Sequence, residues 1–313
     1  MAVLQPHEMD FTNKKFSMII AGSPGVGKTT LAMSAPNPVL IDLEGGVSRV
    51  KAQHRETTIV AKTYEEMLED IESSSVRQAE TLVIDTGGSL ITYLMDWAVR
   101  KNPKIANNNM QKFAAIKKEF TSITNRLQHT FDKHIIYIFH TVEEKKGDVV
   151  TQRLLCEGSA RNTVWQPCDL GAYFYMDGEQ RVLGFTPTEE YFAKGCYGIV
   201  GLHKVPNLTA KSKNDFLTKL FKEAHKTLEA ENSRFIKQRE GYAQAMKDAR
   251  GIIENISDAG SANSSRQAFK AIKHFLTSER ESGVLFKAKI AALNLVWDNG
   301  EGAYVPNDAQ PSK

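Results

Sequence analysis

The stretch IIAGSPGVGKTT, residues 19–30, decides the fold class of this chain. It contains Gly22, four further residues and then Gly27, Lys28 and Thr29, which is the spacing of the phosphate-binding loop G-x-x-x-x-G-K-[ST]. An apolar run precedes the loop and a helix-forming segment follows it. Strand, glycine-rich loop and helix N-terminus together form a site for an anionic phosphate group. The stretch therefore predicts a nucleotide-binding α/β protein.

Each part of this loop has an expected role. Glycines let the backbone turn tightly, so that successive amide groups can face one anion. We expect Lys28 to contact the β- and γ-phosphates of ATP and the Thr29 hydroxyl to hold Mg²⁺. The alternative, a glycine-rich turn that matches by chance, is disfavoured by the flanking strand and helix. The expected nucleotide-binding residues are Gly22, Ser23, Pro24, Gly25, Val26, Gly27, Lys28, Thr29 and Thr30.

The composition is that of an ordinary globular protein, with 313 residues, 41% of them hydrophobic and 25% charged. We find no apolar run of about 18 residues and no apolar core of a signal peptide, so we expect no membrane span and a cytoplasmic location. Three cysteines without metal-ligand spacing indicate a reduced compartment rather than a disulfide framework. Eight histidines form no zinc motif.

Five short apolar runs recur with helical or loop material between them, at residues 16–20, 38–44, 57–61, 81–86 and 134–141. This alternation is typical of a mostly parallel sheet covered by helices. We expect helices at 64–73, 88–100 and 110–131, and a hairpin around Asp177 and Gly178. Segments 100–109 and 142–162 show no regular pattern and are expected to be loops.

The sequence suggests four regions: an N-terminal arm (1–13), an ATPase core (14–205), a helical C-terminal region (206–292) and a disordered tail (293–313). Within the third region we expect a linker at 257–265 and a helix at 266–279. Residues 206–292 contain 16 lysines and arginines against 10 acidic residues, although the net charge of the chain is only +3. A surplus of this size is more typical of a solvated face than of a binding surface.

Three predicted strands end in polar residues, and parallel sheets bind ligands at the carboxyl ends of their strands. Asp85 ends the fourth run and suits a carboxylate associated with Mg²⁺; the alternative is a residue that caps the next helix. Glu44 follows the second run and could orient the water that attacks the γ-phosphate, or could be a solvated strand end. His140 ends the fifth run and could sense the γ-phosphate, although a lone histidine is as often structural.

The order of these segments resembles the ATPase core of the RecA family of recombinases. Within that family the chain is similar to short phage-encoded, core-only ATPases associated with single-strand annealing and recombination. The resemblance covers residues 14–202 and rests on the phosphate loop, IDLEGG (41–46), TLVIDT (81–86) and YIFHT (137–141). It implies an ATPase with ATP and Mg²⁺ as cofactors, stimulated by single-stranded DNA, acting in phage DNA recombination or replication in the bacterial cytoplasm.

The same resemblance assigns roles to residues at matching positions. Glu44 would be the catalytic glutamate, Asp85 the Walker B aspartate and His140 the γ-phosphate sensor, where the best-known members have glutamine. Lys194 matches the lysine of a K-x-R pair that related ATPases present to a neighbouring subunit's nucleotide. Cys196 stands where the arginine of that pair is expected, so the charge could also come from elsewhere.

Segments 100–109 and 142–162 would correspond to the two loops that face DNA inside a filament or ring. The expected phosphate contacts are Lys101, Lys104, Lys145, Lys146 and Arg153. We interpret Trp165 and Cys168 as packing residues rather than contacts with bases.

The resemblance implies a homo-oligomer with ATP at subunit interfaces, and the sequence leaves filament and ring open. The C-terminal region could dock a single-strand-binding or replication protein. Three other functions stay open: a helicase or translocase motor, a nucleotide-dependent loader or switch, and a kinase. Helicase motifs are not evident, and a kinase would need an acceptor pocket and a lid.

Overall fold

The computed structural model of the chain describes residues 11, 13–209 and 212–307, and of Lys146 only the backbone. Within these residues, nine strands form one sheet in the order β3-β2-β4-β5-β1-β7-β8-β9, with β6 paired to β5. The pairs among β1, β2, β3, β4, β5 and β7 are parallel, whereas β6, β8 and β9 pair antiparallel. The prediction of an α/β fold with a mostly parallel sheet is confirmed.

The elements have the following bounds. The strands are β1 (Ser17–Gly22), β2 (Pro38–Asp42), β3 (Thr58–Val60), β4 (Thr81–Asp85), β5 (His134–Lys146), β6 (Val149–Leu154), β7 (Leu170–Asp177), β8 (Gln180–Gly184), β9 (Leu202–Val205), β10 (Leu295–Asp298) and β11 (Ala303–Pro306). The helices are α1 (Lys28–Ala32), α2 (Tyr64–Asp70), α3 (Ser74–Gln78), α4 (Gly87–Lys101), α5 (Asn109–Asn125), α6 (Ala160–Thr163), α7 (Phe216–Glu254), α8 (Ala259–Lys270) and α9 (Ser278–Ala292).

Burial on both faces explains why the central strands read as continuous apolar runs. Along β1, Ile19 and Ala21 face a core that includes residues of α2, α4 and α5. Met18 and Ile20 face the opposite core, which includes residues of α1 and the start of α7. The sheet is therefore the middle layer of three.

Register between strands brings the predicted polar residues to one edge of this sheet. Gly22 pairs with His140 where β1 meets β5. Asp42 pairs with Asp85 where β2 meets β4. Since all four strands run parallel, their carboxyl ends place these residues beside the phosphate loop.

The expectation of an irregular loop at 142–162 is wrong. Strand β5 continues to Lys146, and β6 returns antiparallel to it from Val149. Gly147, with φ +63°, makes the tight turn that a hairpin needs. A run of charged residues concealed this strand, because consecutive residues 142–145 are all exposed and leave no alternating apolar face. Segment 100–109 contains the end of α4 and a short 3₁₀ turn at Pro103–Ile105 before α5 begins.

By its contacts the described chain divides into two compact units, one of residues 13–228 and one of residues 229–307 with Phe11. The expected helical C-terminal region is present as α7, α8 and α9. Three expectations for residues 206–313 are corrected. The single helix expected at 266–279 is wrong between Lys270, where α8 ends, and Ser278, where α9 begins. The linker at 257–265 is wrong from Ala259 on, where α8 begins, because Asp258 forms a capping box with Ser261. The disordered tail is wrong for residues 295–306, which form the β10–β11 hairpin.

The N-terminal arm lies outside the described residues except for Phe11 and Asn13. In the described part of the chain, we find no helix with the length and apolar character to cross a membrane.

Candidate nucleotide-binding site

The phosphate loop connects the carboxyl end of β1 to α1, as its sequence predicts. A Cβ atom on Gly22 would lie 2.3 Å from the carbonyl oxygen of Phe174 in β7, so only glycine fits there. Gly27 has φ +104° and ends the loop immediately before α1, a conformation that side chains disfavour. The backbone of this loop is thus held close to the neighbouring strand.

Lys28 is buried within the loop, with a side chain only 5% exposed. Its ammonium donates to the carbonyl oxygens of Gly22 and Ser23, each at 2.9 Å. Burial lowers the pKa of Lys28 to about 8, against the opposing effect of the Asp85 and Glu44 carboxylates. The ammonium is therefore charged at neutral pH and held where a phosphate would lie.

Thr29 and Asp85 are joined directly, since the Thr29 hydroxyl donates to Asp85 Oδ2 at 2.6 Å. Burial raises the pKa of Asp85, although the hydrogen bond from Thr29 opposes this. The described residues contain no group of three His, Cys, Asp or Glu side chains that could hold a metal alone. Mg²⁺ beside a nucleotide usually takes one or two protein oxygens and completes its shell with phosphates and water. The Thr29–Asp85 pair fits that requirement.

Glu44 is held at the N-terminus of α4 by two hydroxyl groups. Thr86 Oγ1 donates to Glu44 Oε1 at 2.5 Å, and Ser89 Oγ donates to the same oxygen at 2.7 Å. Partial burial raises the pKa of Glu44, but these hydrogen bonds and the nearby His140 lower it overall. Glu44 is thus an oriented carboxylate, ionised at neutral pH.

The turn that carries Glu44 is fixed by Asp42, which the sequence analysis did not single out. Its buried carboxylate accepts from the backbone amides of Gly46 and Val47, both at 2.9 Å, and of Glu44 at 3.1 Å. Within IDLEGG, the aspartate two residues before the glutamate was the available signal. Asp42 positions the turn and leaves Glu44 free to face the site.

His140 lies between Lys28 and Glu44. Its Nδ1 is 3.1 Å from Lys28 Nζ, and its Nε2 is 3.6 Å from Glu44 Oε2. Burial and the Lys28 ammonium lower the pKa of His140, so the ring is neutral at neutral pH. An ammonium can only donate, so Nδ1 accepts and the ring proton is on Nε2, directed toward Glu44. The structure thus joins the lysine, histidine and glutamate in one row.

Two arginines near the loop were missed by the sequence analysis. Gly46 lies beside both Arg49 and Asp85. A Cβ atom built on Gly46 would be 2.9 Å from the Arg49 guanidinium and 3.7 Å from Asp85 Oδ2. The guanidinium and the carboxylate are therefore within about 7 Å of each other. Arg181 in β8 donates through Nε to the carbonyl oxygen of Val26 at 3.0 Å. No local motif marks either residue, because folding alone brings them to the loop.

A cavity of about 510 Å³ opens beside the phosphate loop. Gly25, Gly27 and Thr30 line one side, and the segment between β9 and α7 lines the other. Its volume lies in the usual range for pockets that bind small molecules. Five cationic side chains line it against one carboxylate: Arg49, Lys51, Arg181, Lys213 and Lys219 against Asp215. A triphosphate with its nucleoside suits this charge and volume.

Lys194 does not lie at the phosphate loop of its own chain. Its ammonium donates to the carbonyl oxygen of Cys168 at 2.5 Å, and its backbone pairs with Gly171 near the start of β7. Cys196 is partly buried. The suggested role of Lys194 toward a neighbouring subunit stays a prediction.

The suggested DNA contacts lie on two segments. Lys101, the last residue of α4, and Lys104, in the 3₁₀ turn before α5, are exposed, and Lys145 is exposed in the β5–β6 hairpin. Arg153 in β6 forms an ion pair with Glu144 at 3.2 Å. The side chain of Lys146 lies outside the described structure. The suggested contacts therefore remain predictions, of which Arg153 is already paired within the chain.

Comparison with known proteins identifies the family of the core domain. The family model described as AAA domain matches residues 14–197, which is more than half of the chain. A search of curated proteins finds no significant match. The family match covers the phosphate loop and every strand end discussed above.

Proposed function

We propose a function for this chain, which belongs to the AAA domain family. It is an ATPase, and it binds single-stranded DNA in recombination or annealing. The family supports a nucleotide-dependent activity of the ATPase class. The finer assignment rests on how the nucleotide site is connected to the rest of the chain.

The observation that carries the proposal is the position of His140. This residue lies beside Lys28 and Glu44, and it is also the point from which β5 extends into the β5–β6 hairpin. The amide of Leu155, directly after β6, donates to the His140 carbonyl oxygen at 2.7 Å. Both ends of the hairpin are thus attached at a residue in contact with Lys28, the expected ligand of the γ-phosphate. A change at the nucleotide would be passed to the hairpin directly.

A basic surface lies next to the hairpin. Residues 100–118, here called the basic segment, contain six lysines and arginines and no acidic residue. Phe113 of this segment packs against Gly158, where a Cβ atom would lie 2.2 Å from the phenyl ring. Gly158 belongs to the connection between β6 and α6, so the basic segment and the hairpin are neighbours. Arg100 is paired with Glu65 and Lys112 is half-buried, but the other four lysines are exposed and suit a phosphate backbone.

The residues of the site suit hydrolysis in the following way. Lys28 and the loop amides would bind the phosphates, and Thr29 with Asp85 would hold Mg²⁺. When bound, Mg²⁺ neutralises charge that develops on the phosphate oxygens. Glu44, ionised and fixed by Thr86 and Ser89, would orient and deprotonate the attacking water.

Binding of a labelled single-stranded oligonucleotide, followed by fluorescence anisotropy over a range of salt concentrations, tests the proposal. With an ATP analogue and Mg²⁺, wild-type protein should bind more tightly than with ADP. The double variant Lys101→Glu, Lys104→Glu should bind more weakly, and its salt slope should decrease by roughly 1.4 if two phosphate contacts are lost. Lys222→Glu with Lys226→Glu, on α7 over the opposite face of the sheet, is the matched control.

The results also separate the alternatives. Nucleotide hydrolysis without any binding of single-stranded DNA would contradict the proposal and favour a loader or switch. Unwinding of a duplex that depends on ATP would favour a motor instead.

A further inference from the structure

A second, smaller cavity lies on the other side of β1 from the 510 Å³ cavity. Its volume is about 190 Å³, and residues of β6, α6 and β7 surround it. We call it the hairpin cavity, defined by Arg153, Arg161, Asn162, Trp165, Tyr173 and Phe192. None of these residues takes part in the nucleotide site described above.

Two aromatic rings form one wall of the hairpin cavity. The rings of Trp165 and Phe192 lie with centroids 5.5 Å apart and planes inclined by 49°. The sequence analysis interprets Trp165 as a packing residue rather than a contact with bases. Its indole does pack on Gly171, where a Cβ atom would lie 2.2 Å from the ring, but it also lines the cavity, where a base could reach it. Phe192 is 52% exposed, so the core of the protein does not cover it. The wall is a rigid indole beside an open phenyl ring, a surface on which a planar group can stack.

Polar groups of the hairpin cavity carry a positive charge. Arg153 and Arg161 both contact the same oxygen of Glu144, at 3.2 and 3.4 Å, so two cations share one carboxylate. Arg161 Nε is buried and has no hydrogen-bond partner among the described residues. A buried donor without a partner is unfavourable, and an acceptor on a ligand would relieve that cost. The site therefore suits a ligand with a polar edge and a neighbouring negative charge.

From this combination we infer that the hairpin cavity binds one unstacked base of a single-stranded nucleic acid. A base has apolar faces for Trp165 and Phe192, a polar edge for Arg161, and an adjoining phosphate for Arg153. The cavity is too small for a base pair, so a duplex does not satisfy it. This inference rests on the proposed function, because it names the part of the strand that enters the protein.

The hairpin cavity is also connected to the phosphate loop. Tyr173 lines it, and this residue pairs with Ala21 of β1, directly before the phosphate loop. Strand β6 supplies Arg153 and ends at the amide bonded to His140. A base in the cavity would therefore contact elements that also border the nucleotide.

Fluorescence of Trp165 provides the test. Trp97→Phe with Trp297→Phe leaves Trp165 as the single tryptophan of the chain. Titration of this variant with oligothymidine should quench its fluorescence. The Kd from this quenching should equal the Kd from fluorescence anisotropy of the labelled strand. An abasic strand of equal length should bind more weakly and should not quench.

Phe192→Ala adds a second measurement, with folding checked by circular dichroism. Loss of one stacking partner should weaken oligothymidine binding by roughly 5- to 100-fold. The same substitution should not weaken binding of the abasic strand. Phe192→Trp should restore affinity, and Met176→Ala, an exposed residue of β7 outside the cavity, is the matched control.

The outcomes distinguish the inference from the proposed function. Oligothymidine binding by anisotropy with no change in Trp165 fluorescence and wild-type affinity in Phe192→Ala would overturn the inference alone. No binding of either strand by the wild-type protein would overturn the proposed function and the inference with it.

Discussion

The affinity of the protein for ATP should decrease as pH rises through about 8. Burial gives Lys28 a pKa of about 8 in the protein without nucleotide. A bound triphosphate stabilises the ammonium and raises this pKa, so above pH 8 the complex holds more protons than the free protein. Between pH 7.5 and 9 the charged fraction of Lys28 falls from about three-quarters to about one-tenth, so the Kd should rise roughly eightfold. The side chains around Lys28 do not reverse this sign, because Glu44 stays ionised and His140 neutral in this range.

Isothermal titration calorimetry in buffers of different ionisation enthalpy measures this effect directly. At pH 9, binding of Mg-ATP should take up about 0.9 proton per chain, and at pH 7 only about 0.1. Lys28→Arg is the control, because a guanidinium stays charged throughout and its affinity should be independent of pH. A wild-type Kd that is constant from pH 7.5 to 9, without proton uptake, would refute the reasoning.

Three substitutions test other contacts of the site. Glu44→Gln should leave ATP binding intact and slow single-turnover hydrolysis by about 10²–10⁴-fold, the contribution of an oriented base; normal turnover would remove that role. Arg49→Ala should reduce kcat by about 10²-fold, because a guanidinium near Asp85 can stabilise charge on the transferring phosphoryl group. Arg77→Ala, an exposed arginine of α3 outside the site, is its control, and equal rates for the two variants would exclude Arg49 from catalysis. Gly22→Ala should lower the free energy of unfolding by about 1–3 kcal/mol, because the added Cβ would clash with the Phe174 carbonyl oxygen. An unchanged midpoint of urea unfolding would contradict this close contact.

Local patterns predicted the central sheet and the loop because the decisive contacts there are local or repeat along each strand. The apolar runs became β1 to β5, and the loop motif specified its own turn through Gly22 and Gly27. Asp85, Glu44 and His140 could be singled out because each follows such a run. Parallel strands then bring their ends together without further information from the sequence.

Contacts between distant segments could not be predicted in this way. Arg181 and Val26 are 155 positions apart and meet only because β7 pairs with β1 and β8 with β7. The β5–β6 hairpin was missed because its charged residues do not alternate with apolar ones. The β10–β11 hairpin was missed because its stability comes from the packing of Trp297 with Arg266 and Tyr304, which composition alone does not reveal.

Release of phosphate from ATP, with and without single-stranded DNA, tests the central claim most directly. Wild-type protein should hydrolyse ATP faster when single-stranded DNA saturates it, and a duplex of the same sequence should have little effect. Lys28→Ala should show no hydrolysis under any of these conditions, which sets the background. Equal rates for wild-type protein without DNA, with the single strand and with the duplex, at concentrations where anisotropy shows saturation, would contradict the account.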